Sequence, residues 1–197
     1  LGLDSRIGPK YLKGGFGYGG PCLVRDNLAL SSLAEKIGAK ALLADATDQA
    51  NQDEVVRLAS LVKSKIDDDG VVGILGLSYK PETNVIDDSP GLLLAEALAE
   101  ENISVVAFDP AAMEQSREVL GDTVRLSDSM ENCIKQADVV VIATPWNEFK
   151  SIEPDLFDSP GNRILIDCWR MLDQSRFSGL KGYIGMGIGP STGQLVL

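Results

Sequence analysis

Cys22 is the residue in this chain whose surroundings suit covalent chemistry. It follows the run Gly14-Gly15-Phe16-Gly17-Tyr18-Gly19-Gly20-Pro21 and precedes Leu23-Val24-Arg25-Asp26-Asn27-Leu28, which reads as the start of a helix. Glycines this dense let backbone pass close to a ligand and leave N–H groups free to face phosphate or carbonyl oxygens. A sulfur in the first turn of a helix sits among unpaired N–H groups at the positive end of the dipole, which favours a thiolate. Arg25, three residues on, adds positive charge on roughly the same helix face. Asp26, four on, brings a carboxylate within reach of whatever binds to Cys22. The chain has no histidine, so Cys–His and Ser–His–Asp relays are excluded within it. The competing reading of Cys22 is a small filler behind a glycine turn. Cys133 and Cys168 fall in an expected helix and core strand and read as fillers.

Two helices must position this segment. The first is expected from Pro21, with Leu23, Leu30 and Leu33 as its apolar positions and Gly38 as its stop. The second runs from about Leu42 to about Asp67. Val55, Ala59, Val62 and Ile66 mark one stripe at helical spacing, widened by Leu58 and Leu61. A helix with so broad an apolar face needs a partner surface, and dimerisation is one way to supply it. At Asp67-Asp68-Asp69-Gly70 the pattern changes to strands alternating with helices. Strands are expected at 71–77, 103–110, 138–144 and 163–169, with a short segment near 124–126. Helices are expected near 90–101, 111–120 and 128–137. Apolar strands alternating with helices imply a parallel sheet covered on both faces. The fold class is therefore α/β: a helical dimerisation region over 1–69, followed by a Rossmann-like, doubly wound parallel-sheet domain over 70–197.

Composition bounds the function. The chain of 197 residues is 44% hydrophobic and 24% charged, ordinary for a soluble globular protein. A net charge of −11 argues against nucleic acid as a partner, which needs a basic face. No run approaches the roughly 20 apolar residues of a membrane span. Three cysteines at long, irregular spacings, without histidine, make no zinc site and suit a reduced, cytoplasmic protein. The opening LGLDSRIGPK has no initiator Met and no signal layout, the start expected of a piece cut from a longer polypeptide. An acidic chain that binds an anionic ligand must use a few placed cations and backbone N–H groups.

Three segments carry a resemblance. GGFGYGGPCLVRDNLAL is similar to the nucleophile segment of the UDP-glucose/GDP-mannose dehydrogenase family, a glycine-rich run, then GG-x-C, two residues, a Lys and an Asp. GILGLSYKPETNVIDDSP resembles the family's second signature, a strand ending in G-L-x-[FY]-K-P and a loop closing in Ser-Pro. DVVVIATPWNEFK resembles the third, a strand ending at A-T-x-W. The three occur in family order and cover most of the chain.

The resemblance implies an NAD-dependent oxidation of a nucleotide sugar's C6 alcohol to a carboxylate in two hydride transfers. It makes Cys22 the nucleophile that forms a thiohemiacetal and then a thioester, with Asp26 placed to orient or deprotonate the hydrolytic water. Arg25 stands where the family has Lys and, with Gly19, would meet the cofactor. Arg6 matches an arginine extended into a neighbouring subunit's sugar site, which implies a homodimer or higher homo-oligomer. Tyr11, Leu12 and Lys13, with Gly17 and Gly19, match a loop around the base and ribose, and Tyr79 and Lys80 match an aromatic–lysine pair at the substrate. Arg170, in Asp167-Cys168-Trp169-Arg170, stands one residue off the family's Asp-Gly-Arg and is within reach of the substrate. Asp87 replaces an arginine before Ser-Pro that the family associates with NAD.

No G-x-G-x-x-G follows a strand here, so the main NAD-binding domain and two assisting residues, a Lys and an Asn, are expected before Leu1. The intact protein is then the enzyme and this chain alone is inactive. Two alternatives stay open: a nucleotide-sugar-binding and dimerisation module without catalysis, and a Rossmann-type NAD domain over 70–197 that uses Asp109 as its ribose acid. The nucleotide sugar stays open among UDP-glucose, UDP-N-acetylhexosamines and GDP-mannose, as does NAD against NADP.

Overall fold

The computed structural model describes residues 1–10, 12, 14–157, 163–177, 180 and 182–188. After an irregular, glycine-rich start come two helices, α1 (Leu23–Lys36) and α2 (Leu42–Lys63). The remainder is β1 (Val71–Leu75), α3 (Pro90–Glu100), β2 (Ser104–Phe108), α4 (Met113–Leu120), β3 (Arg125–Leu126), α5 (Met130–Gln136), β4 (Val139–Ile142), β5 (Ile164–Asp167) and β6 (Gly182–Gly185). Three short 3₁₀ turns, Asn147–Ser151, Pro154–Phe157 and Gln174–Phe177, follow β4 and β5.

The strands form one sheet in the order β3-β2-β1-β4-β5-β6, every neighbouring pair parallel. β1 lies at the centre, with Ile74 in register with Ala107 on one side and Val141 on the other. β4 and β5 are buried along their whole length, as continuous apolar strands between two covered faces must be. Alternate residues feed two cores. Ile74, Val105, Val139, Val141 and Ile166 pack with Leu58, Ala59 and Val62 of α2 and Leu94 and Leu98 of α3. Leu75, Val106, Val140, Ile142 and Leu165 pack with Cys133 and Ile134 of α5 and with Phe149, Phe157 and Phe177 of the 3₁₀ turns. The strand order reverses between β1 and β4, which opens a crevice outside their carboxyl ends.

The expected α2 stripe packs inward: Ala59 and Val62 are buried, and Val55 and Ile66 lie against the same core. The apolar positions of α1 do not. Leu23, Leu30 and Leu33 are each more than half exposed, and Ala34 is the buried residue of that helix. Pro21 lies outside the helix, with Cys22 as its N-cap. Strands and helices are one to three residues shorter at most ends than the apolar runs suggested, because burial continues past the last ladder hydrogen bond. β6 was not anticipated: Gly182-Tyr183-Ile184-Gly185 is short and begins and ends in glycine.

Candidate active site

The glycine-rich segment crosses the carboxyl ends of the strands as a strap, and each contact there accounts for a residue type. Phe16 is 1% exposed and plugs the core shared by α2 and α3. Before it, Gly14 O accepts a 3.1 Å hydrogen bond from Arg170 Nη2, just after β5, and the Trp169 ring occupies the space where a Gly15 side chain would be. After it, Gly19 packs so tightly on the Asp88 carbonyl that any Cβ would collide with it. Gly20 adopts φ +91° beneath the Tyr79 ring, and its N–H donates to Asp87 O at 2.7 Å. The strap therefore lies against the loop after β1 and hands the chain directly to Cys22.

Cys22 is exposed, and its carbonyl accepts Asp26 N at 2.8 Å as the first bond of α1. Arg25 turns its guanidinium onto Asp26, with Nη2 3.0 Å from Oδ1, and both side chains are about two-thirds exposed. Asp26 first, and Cys22 after it, hold Arg25 above the usual arginine range. Thiol, cation and carboxylate thus share one exposed turn. The pair lies in solvent and is weak, so Asp26 can swing free of Arg25 at small cost.

The other expected residues fall into three groups. Tyr79 covers Gly20, and the exposed Lys80 places Nζ 5.3 Å from the Tyr79 ring centroid. Arg170, at φ +51°, bridges the strap to Met186 O after β6. These lie at the carboxyl ends of β1 and β5 with Gly17 and Gly19. Leu12 is exposed, and the Arg6 side chain is 87% exposed and held by Asp4 at 2.7 Å. Tyr11 and Lys13 lie outside the described residues. The Asp87 side chain is exposed, and its carbonyl is what holds the strap.

Asp109 does not offer itself to a ribose. Its carboxylate is fully buried and accepts six hydrogen bonds. Oδ2 takes Leu77 N, Ser78 N, Ser78 Oγ and Trp146 Nε1, and Oδ1 takes Ala111 N and Ala112 N, at 2.8–3.2 Å. It ties the end of β1 to β2 and sets the direction of the loop carrying Tyr79. Asp109 is thus fully taken up by the chain's own donors, and Gly19 is packed against Asp88 and Ser89 just before α3. The close approach that demands glycine at 19 is to the chain's own backbone.

Sequence reasoning missed Asn27 and Asn51 and quoted Trp146 and Trp169 only as members of motifs; their partners are 9 to 68 residues away and leave no spacing signal. It also missed Arg163, buried with its guanidinium on the Ile134, Lys135 and Leu156 carbonyls. There it caps the end of α5. The described residues hold no cluster of metal-ligating side chains and no helix long and apolar enough to cross a membrane.

Residues 73–174 match the UDP-binding domain of the UDP-glucose/GDP-mannose dehydrogenase family, and residues 1–53 match its central domain. The chain belongs to this family. It is 37% identical over 173 residues to the UDP-glucose 6-dehydrogenase AglM of Haloferax volcanii, covering 87% of this chain and 40% of that protein. It is 30% identical over 194 residues to the UDP-glucose 6-dehydrogenase YwqF of Bacillus subtilis, covering 93% and 43%. The UDP-glucose dehydrogenase of Pyrobaculum islandicum superposes with a TM-score of 0.79 at 30% identity, over 93% of this chain and 41% of that one. These family relatives are nucleotide-sugar dehydrogenases, and the chain spans about two fifths of their length.

Proposed function

We propose that the chain is the nucleophile-bearing and nucleotide-sugar-binding part of an NAD-dependent nucleotide-sugar 6-dehydrogenase, acting in the cytoplasm. What carries the reading is one observation: an exposed thiol at the head of α1, delivered by a strap that lies against the loop bearing Tyr79 and Lys80. On this reading residues 1–69 form the dimerisation region with the nucleophile loop, and 70–197 form the nucleotide-sugar domain. Substrate lies over the outer face of the strap, at the carboxyl ends of β1, β4 and β5. Lys80 and Arg170 supply the cations that an acidic chain needs to hold a diphosphate, and Tyr79 and the backbone of Gly17 and Gly19 supply contact surface. Tyr11, Leu12 and Lys13 continue that surface around the base and ribose, and Arg6 reaches the sugar site of a partner copy.

The chemistry follows from the thiol. The C6 alcohol first loses a hydride and a proton to become an aldehyde. The Cys22 thiol adds through Sγ to the aldehyde carbon, the carbonyl pair moves onto oxygen, and the thiol's proton passes to that oxygen, giving a thiohemiacetal. Loss of a second hydride from C6, with the hydroxyl proton, restores C=O as a thioester. Water then adds, Asp26 takes its proton, the C–S bond breaks with its pair leaving on sulfur, and a carboxylate is released. NAD, held in the intact protein mainly by a region outside this chain, would supply the acceptor for both hydrides, and the exposed Arg25 would offer it a cation, whereas the packing of Gly19 on Asp88 is met within the chain itself.

In the intact polypeptide, Cys22→Ser should cut uronate formation by a factor on the order of 10³ or more while nucleotide-sugar binding persists. Uronate accumulating at the wild-type pace would end the proposal. A second reading, a binding and dimerisation module with no catalysis of its own, is supported by the Asp109 carboxylate, all of whose hydrogen bonds come from the chain itself. For this chain alone the two readings agree: it should bind a nucleotide sugar and fail to reduce NAD.

A further inference from the structure

The strap is braced at Tyr18 by amides from both helices. Tyr18 N donates to Asn51 Oδ1 at 2.7 Å, and Asn51 Nδ2 donates to Tyr18 O at 2.8 Å. One side chain on α2 thus satisfies both backbone groups of a strap residue, as a neighbouring strand would. Asn27 Nδ2, on α1, donates to the Tyr18 hydroxyl at 3.1 Å. Gly17 adopts φ +55°, and a Cβ there would sit 3.0 Å from Asn51 Oδ1 and 3.2 Å from Pro90. Glycine at 17 and asparagine at 51 therefore fit one arrangement. Tyr18 stands between two glycines, where the backbone has most freedom to lose, and a two-point amide clamp removes that freedom without covering the strap's outer face.

We propose that Asn51 is a positioning residue of the nucleotide-sugar site, holding Gly17–Gly20 in the shape that meets the ligand and leads into Cys22, with Asn27 as the second brace. The inference rests on the functional reading above. It requires an amide specifically: aspartate keeps the shape and the acceptor but cannot donate to Tyr18 O, and alanine does neither.

The test uses this chain, UDP-glucose as the probe, calorimetric titration and amide hydrogen exchange. In Asn51→Ala the Tyr18 and Gly20 amides should exchange at least roughly tenfold faster, with the β1 amides unchanged, and UDP-glucose affinity should fall by roughly tenfold. Asn51→Asp should move both readouts in the same direction, and it decides the matter if the alanine variant does not fold. Gln52→Ala, whose side chain bonds Asp48 on its own helix, should change neither. If both Asn51 variants bind UDP-glucose within twofold of wild type, even with lowered melting temperatures, Asn51 is a structural residue only and the inference falls. Failure of the wild-type chain to bind UDP-glucose would overturn the functional reading first, and the inference with it.

Discussion

At the scale of single residues, the three cysteines separate by environment. Cys22 is exposed, whereas burial pushes the Cys133 thiol up to about 12, and burial with nearby Asp167 raises Cys168 as well. Thiolate is the reactive form. Iodoacetamide at pH 8 should therefore label one thiol in the native chain, at Cys22, and all three after denaturation. Labelling of two or three native thiols would show that the core cysteines are accessible. Asp167 makes a second test. It is fully buried and accepts Trp169 N, Leu172 N and the Tyr183 hydroxyl at 2.8–3.0 Å. Burial first, and then this hydrogen bond, raise the Tyr183 phenol above its usual range. The folded state thus keeps a proton that the unfolded chain releases near pH 10. Its contribution to stability is complete below that point and is lost as pH rises further. Tyr183→Phe should lower the urea midpoint at pH 7 and flatten its decline above pH 10; parallel declines in the two proteins would refute the assignment.

At the scale of elements, α3 shows tertiary packing overriding local preference. Pro90 at its first position and Ser89 before it mark its start in sequence. Gly91, in its first turn, looks like a weak helical residue, worth about 1 kcal/mol less than alanine. Yet a Cβ there would strike Gly76 O at the end of β1 and lie 3.0 Å from Ala143 after β4. Backbone cannot yield as a flexible side chain can, and overpacking of this kind costs about 1–3 kcal/mol. Gly91→Ala should therefore destabilise by about 1–2 kcal/mol net in urea denaturation, despite alanine's better helix propensity. A stabilised variant would mean that α3 sits farther from β1 than described.

At the scale of the whole molecule, α1 faces outward with more apolar surface than a solvated helix needs. Leu23, Leu30, Leu33 and Ile37 recur at helical spacing, and each is more than half exposed, as are Leu42 and Leu43 at the start of α2. Exposed apolar residues in such number are what an interaction surface presents, and a second copy of the chain is the proposed occupant. Sedimentation should give a dimer for the wild-type chain at micromolar concentration and a monomer for Leu30→Lys/Leu33→Lys, with the circular dichroism spectrum unchanged. A wild-type monomer would remove the dimer from the proposal.

Much of this was legible without coordinates, for reasons of range. Strand and helix alternation, the stripe on α2 and the glycine-dense approach to Cys22 are local patterns, carried by residues a few positions apart. The α/β class and the family signatures follow from them. What lay beyond reach was every decision made between distant segments. The brace at Tyr18 joins residues 33 apart, the Arg170 contact with Gly14 spans 156, and Asp109 collects donors from three strand ends. The outward turn of the α1 leucines was hidden too, because an apolar stripe is the same in sequence whether it meets a core or a second molecule. Periodicity says which residues share a face; only the packed fold decides what that face meets, because burial is a property of neighbours rather than of the residue.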